Sequence, residues 1–232
     1  MKNLLDIDQQ SGFRSAVSLV PRRYFVSEEV ISSVKERGFE LCVHGLYHDG
    51  RLFSSHRRFL KRAAEINTIL AQWGAAGFTA PSMHRNLDWM HALNIDHSTA
   101  TFDTDPFEPQ PDGVGTIFPF TVNGGPTDKP FVELPYTLPQ DFTLFVLMRE
   151  KNIHIWQRKL DWVAANGGMA LFNTHPDYMN FEGRRCGPEE YPVRHYTAFL
   201  DYIKKKYAGA YWQALPAEVA AFWRKLERER LE

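Results

Sequence analysis

The 232-residue sequence predicts an α/β protein with a parallel sheet rolled into a barrel. Short apolar runs of strand length alternate with amphipathic helical runs along the whole chain. No linker, repeat or low-complexity stretch interrupts them, and two of the strand-like runs end directly on histidines, at the edge where parallel sheets place their sites. A single domain over residues 1–232 is expected, because barrel-like α/β folds often reach this length as one unit.

The elements follow in order. Leu4, Leu5 and Ile7 before Ser11-Gly12 read as the end of a helix, and Ser15 to Val20 as a short buried strand. Ser27 is a helix cap, with Glu28 and Glu29 in the positively polarised first turn and Gly38 as the stop. A strand follows at Phe39 to Val43. Ser55 opens a long helix carrying Leu60, Ile66, Leu70 and Trp73 and ending at Gly74; Gly77-Phe78 is extended. Asn86 to Leu93 reads as a short helix and Ser98 to Phe102 as a strand, while Pro106 to Pro130 is a long loop with an edge strand at Thr116 to Val122. Phe131 to Pro135 is a strand, Ile153 to Ala165 a helix, and Met169 to Phe172 a buried strand. Helices at about Val193 to Tyr207 and Ala217 to Leu231 flank a last short strand near Tyr211.

Hydrophobic residues at 44%, charged residues at 24% and a formal net charge of -1 describe an ordinary globular chain without the basic field that nucleic acid requires. No apolar run approaches the roughly 20 residues that span a bilayer, and MKNLLDIDQQ has no signal-peptide core, so a cytoplasmic location is expected. Cys42 and Cys186 are too few for a disulfide framework or a thiolate zinc cluster and are read as free thiols. The six Trp serve an apolar core or a sugar-binding cleft.

Two segments carry the chemistry. In ELCVHGLYHDG a strand runs into His44 and His48, whose rings can converge on one ion from a turn; two polar loop histidines beside an Asp-Gly turn would read the same. In MALFNTHPDY a second strand ends at His175, which can act as a general acid or be satisfied by backbone. Asp49 follows the pair, Pro81, His84 and Arg85 lie in APSMHRN, and Asp103 and Asp105 follow a strand. The carboxylates can orient an imidazole or complete a metal shell, or sit solvated in loops.

These segments resemble the polysaccharide deacetylase family, also called the NodB homology domain, over most of the chain. VHGLYHD is similar to its second motif, APSMHRN to its third and FNTHP to its fifth, and FDTDPFEPQ stands in the place of the fourth. The resemblance implies a distorted (β/α) barrel and a hydrolase of carbohydrate metabolism that removes N-acetyl groups from a sugar chain. It implies a divalent metal on His44 and His48, zinc first with cobalt, nickel or manganese as alternatives, and His175 as the acid that protonates the departing amine. Asp49, Pro81, His84, Arg85, Asp103 and Asp105 would line or support the cleft.

Two departures shape the expectation. The family's first motif, a strand ending in adjacent aspartates that give a metal ligand and the general base, would precede the helix in which Met1 already lies. The barrel is therefore expected to be incomplete at its N-terminal strand, with an upstream segment missing and residues 1–232 slow or inactive; Asp6 and Asp8 sit in the wrong element to replace that motif. The third motif carries an Arg where this chain has Thr79, for which Arg85 is the candidate substitute. Hydrolysis of another non-peptide C–N bond and a catalytically silent carbohydrate-binding homologue are the competing functions.

Overall fold

A computed structural model describes residues 1–104, 112–125 and 128–230. The chain forms two compact units, each made of three separate stretches: one of residues 1–13, 102–118 and 136–213, the other of residues 14–101, 119–135 and 214–232.

The second unit contains a six-stranded sheet. Its strands are β1 (Ala16–Leu19), β2 (Glu40–His44), β3 (Gly77–Thr79), β4 (His97–Ser98), β5 (Phe120–Val122) and β6 (Phe131–Glu133), in the order β1-β2-β3-β4-β6-β5. Only β5 runs antiparallel, against β6. The connecting helices are α1 of this unit (Glu28–Glu36), α2 (His56–Trp73) and α3 (Leu87–Met90), and α4 (Pro216–Glu229) follows at the chain's end. Their boundaries come from local chemistry. Ser27 accepts from Val30 N, Ser55 from Arg58 N and Asn86 from Trp89 N, each satisfying a donor that the first turn leaves open, and Gly74 closes α2 in the left-handed conformation. Phe59, Ala63, Ile66 and Leu70 form the buried stripe of α2 at helical spacing.

Alternate residues of a strand share a face. Leu41 and Val43 are buried on one face of β2, and Glu40, Cys42 and His44 occupy the other. On that second face the hydroxyls of Ser18, Thr79 and Thr99 form a chain across β1, β3 and the residue after β4, with 2.9 Å at each step. These three hydroxyls satisfy one another on that side of the sheet.

Glu133 is a fully buried carboxylate whose Oε1 accepts from Ala100 N, Thr101 N and Thr101 Oγ1 at 2.7–2.9 Å. Burial pushes its carboxyl above the ordinary value of 4.5, against the hydrogen bonds that favour the anion. A raised folded value means that this group favours folding most below the unfolded value, and that the contribution is lost as pH rises through the folded one. Glu133→Gln is accordingly expected to gain on the wild type as pH is raised from the acid side of that range toward neutrality, read as the difference in unfolding midpoint between the two proteins across pH.

The first unit is helical, with an aromatic core. It contains α5 (Lys2–Ser11), α6 (His154–Ala165) and α7 (Arg194–Lys206), a π-type turn at Phe142–Leu147, and a pair of two-residue strands, β7 (Met179–Asn180) and β8 (Tyr191–Pro192). Trp156, Phe145, Phe199, Tyr191 and Tyr196 are buried together, and Trp156 Nε1 donates to Pro139 O at 2.7 Å. Asp8, fully buried on α5, accepts from Tyr196 Oη at 2.5 Å, a structural contact joining α5 to α7.

Two expected strands are absent among the described residues. Met169 to Phe172 is extended, and its backbone pairs with Ile117, Thr137 and Leu138, but Leu171 N is taken by the Thr137 hydroxyl at 2.9 Å instead of a carbonyl, so no regular ladder forms. Near Tyr211 the chain turns, with Ala210 N bonded to Tyr207 O and Gly209 left-handed. The edge strand expected over Thr116 to Val122 forms only at Phe120–Val122.

Candidate functional site

His44 is the last residue of β2, and the sharp turn that follows brings His48 back toward it. Their ring centroids lie 5.0 Å apart with planes inclined at 55°. His44 Nδ1 is 3.1 Å from Thr79 O, a contact that fixes the ring's direction. Both rings are half-buried. Two such imidazoles fit a shared first-row divalent ion as two of its ligands.

The turn depends on Gly45. Its φ is 62°, and a Cβ there would stand 2.4 Å from Pro81 Cγ, so both backbone conformation and packing exclude a side chain. Pro81 thereby shapes the turn between the two histidines. Gly45→Ala is expected to cost about 2–3 kcal/mol of stability, from the left-handed conformation and the clash combined, measured by denaturant unfolding.

Asp49 follows the pair but is engaged elsewhere. Its carboxylate meets Arg62 through two bonds of 2.7 Å, and this guanidinium, as the leading cause, holds the carboxyl well below the usual carboxylate range. Arg62 also lies over the Tyr47 ring, 4.9 Å from its centroid. Tyr47, His48, Asp49, Arg62, Pro81 and His84 line one small depression beside the turn. Arg85 donates to Met83 O at 3.1 Å. Ser82 and Met83 both have positive φ, so APSMHRN is a tightly wound corner.

In the first unit, His175 has a partner that the sequence did not point to. Asp141, fully buried, places Oδ1 2.7 Å from His175 Nδ1, and its Oδ2 accepts from His175 N at 2.7 Å. The same carboxylate accepts from Phe142 N at 2.8 Å and from Tyr191 Oη at 2.9 Å. Burial first, and the neighbouring Asp141 charge second, push the Tyr191 hydroxyl well above its ordinary value, so it stays a donor. With Nδ1 held by a carboxylate, Nε2 is the ring nitrogen left to exchange a proton, and its hydrogen-bond neighbour among the described residues is Asn173 Nδ2 at 3.4 Å. The His175 side chain is 35% exposed, enough for a substrate to reach it.

Asp103 does not orient an imidazole in its unit: it is buried and paired with Lys159 Nζ of α6 at 2.5 Å. Asp105 lies outside the described residues. A third cluster, on the sheet face below His44, brings one ligand atom each of Glu40, Cys42 and His97 within 4.8 Å of one another, a set able to hold a metal. Sequence reading missed it because ELCVH passes for an apolar strand.

No family model matches the sequence, and no curated protein matches it. Among solved structures, the chain is similar to a crystal structure from Mycobacterium smegmatis described as a "putative polysaccharide deacetylase". The TM-score is 0.71 at 17% identity, over 97% of this chain and 77% of that one. The similarity establishes a mixed α/β fold of the kind that protein has. No helix among the described residues is long and apolar enough to cross a membrane.

Proposed function

We propose that this protein is a metal-dependent hydrolase that removes N-acetyl groups from a carbohydrate. The observation that carries this reading is the pair of half-buried imidazoles on one turn, with His44 oriented by Thr79 O, in a chain whose fold is similar to a protein described as a deacetylase. In this proposal the six-stranded sheet forms part of the wall of a distorted (β/α) barrel. His44 and His48 hold the ion, zinc before cobalt, nickel or manganese. A divalent ion in such a site supplies Lewis acidity toward an acetyl carbonyl and makes water a better nucleophile near neutral pH. Asp141 holds the Nδ1 proton of His175; in its imidazolium form the ring gives its Nε2 proton to the sugar amine as the amide C–N bond breaks and is left neutral, with its proton on Nδ1. Tyr191 and the Phe142 amide hold Asp141 in place.

One feature favours a silent carbohydrate-binding homologue instead: a hydrolytic zinc-type site takes three protein ligands, and the candidate pair supplies two. A third ligand and a base for the water's proton have no assigned residue among the described ones. The deciding experiment measures acetate release from an N-acetylglucosamine oligomer with zinc, cobalt or nickel, before and after a chelator, and in parallel from a non-sugar N-acetyl amide. Slow, metal-dependent release from the oligomer is expected. Release from the amide alone would move the assignment to another C–N bond, and oligomer binding without release would establish the silent homologue.

A further inference from the structure

We infer that Glu40, Cys42 and His97 form a second, structural metal site that binds a thiophilic divalent ion of the zinc type. The inference stands apart from the proposed hydrolase activity. Glu40 opens β2 and His44 ends it, so their Cα atoms are about 13 Å apart at the usual strand rise. The register places Cys42, Gly77 and His97 side by side on three successive parallel strands.

Gly77 makes the cluster possible. A Cβ at this position would lie 2.5 Å from Cys42 Sγ and 2.5 Å from His97 Nε2, so the two atoms occupy the space above a residue without a side chain. Such a close approach across a strand is one of the uses of a strand glycine. Glu40 is positioned from the other side. Its Oε2 accepts from Ala217 N at 2.9 Å, at the start of α4, while Oε1 lies 2.7 Å from His97 Nε2 and 3.6 Å from Cys42 Sγ.

The imidazole supplies an independent observation. His97 is fully buried, yet neither of its ring nitrogens has an aligned hydrogen-bond partner among the described residues. The Glu40 carboxylate oxygen lies 2.7 Å from Nε2, and nothing comparable lies beside Nδ1 among the described residues. An ion held among carboxylate, thiolate and imidazole would give the buried Nε2 a ligand bond in place of a proton shared with Glu40. Carboxylate, thiolate and imidazole are all zinc ligands, and the thiolate disfavours magnesium and calcium. On binding, Cys42 gives its thiol proton to solvent and the ion ties β2 to β4 across β3.

The test uses the full chain carrying Cys186→Ser, which leaves Cys42 as the sole thiol without touching the cluster. Protein expressed with cobalt is expected to hold about one equivalent that gives a thiolate-to-cobalt charge-transfer band. The band should survive His44→Ala and His48→Ala, which remove the other candidate site, and should vanish in Cys42→Ala. Zinc should displace the cobalt and raise the unfolding midpoint by about 5–10 °C over metal-free protein. Folded Cys186→Ser protein without the band, or a band that persists in Cys42→Ala, would overturn the inference. Since no acetate is measured, a failure here is distinct from a failure of the hydrolase proposal.

Discussion

Asp141→Asn is expected to lower metal-dependent acetate release by about 10²–10⁴-fold while the protein stays folded. Asparagine preserves the shape of the carboxylate and can still accept from the His175 and Phe142 amides, so much of the local backbone structure is retained. It loses the negative charge. The partner of His175 Nδ1 becomes an amide that can turn its donor toward the ring, in which case the proton moves to Nε2 with no charge to stabilise the imidazolium. Asp141→Ala differs in kind. It leaves two backbone donors, the imidazole and the Tyr191 hydroxyl without their acceptor in a buried place, and should cost about 3–5 kcal/mol of stability. Paired measurements separate the roles: turnover should fall in both variants, but the unfolding midpoint should drop sharply only in alanine. An Asp141→Asn protein with undiminished turnover would reduce Asp141 to a structural residue.

That this aspartate escaped sequence reading has a physical cause. It lies in LPQDF, a loop with no periodicity, and meets a histidine 34 residues away through contacts that only the folded chain creates. Asp103 was more visible because it follows a strand, yet its charge is matched by Lys159 from a helix 56 residues on. Local signals fared better. Ser27 caps the helix it was expected to cap, Ser55 and Asn86 begin the helices read from them, and Gly12 and Gly74 end theirs in the left-handed conformation, because capping involves only neighbours within a turn. That the His44 and His48 rings lie close together was legible for the same reason: a four-residue spacing at a strand end is a local feature. The expected strand at Met169 to Phe172 failed at a contact no pattern encodes, the Thr137 hydroxyl replacing a backbone acceptor for Leu171 N. Glu40, Cys42 and His97 were hidden by parity, since polar residues on one face of a strand are diluted by Leu41 and Val43 on the other.

Removing one imidazole of the turn should abolish zinc binding there, and with it acetate release. His44→Ala takes away the ring that Thr79 O orients, and His48→Ala takes away its neighbour 5.0 Å away. A site with two assigned ligands cannot keep an ion on one, so each variant should lose at least 100-fold in metal affinity, read by calorimetric titration in a Cys42→Ala background that silences the other cluster. Stability should change little, because both rings are partly solvated and neither fills the core. The informative measurement combines these variants with His175→Ala. Residues that act on one bond-breaking step are grossly non-additive: once either half of the machinery is gone, removing the other costs little more. If His44, His48 and His175 serve one reaction, His44→Ala/His175→Ala should release acetate nearly as fast as the worse single variant. Independent sites would instead multiply their losses. Multiplied losses, or a His175→Ala protein with full metal-dependent turnover, would exclude His175 as the proton donor and send the search for the acid to His84, which lines the same depression as His48.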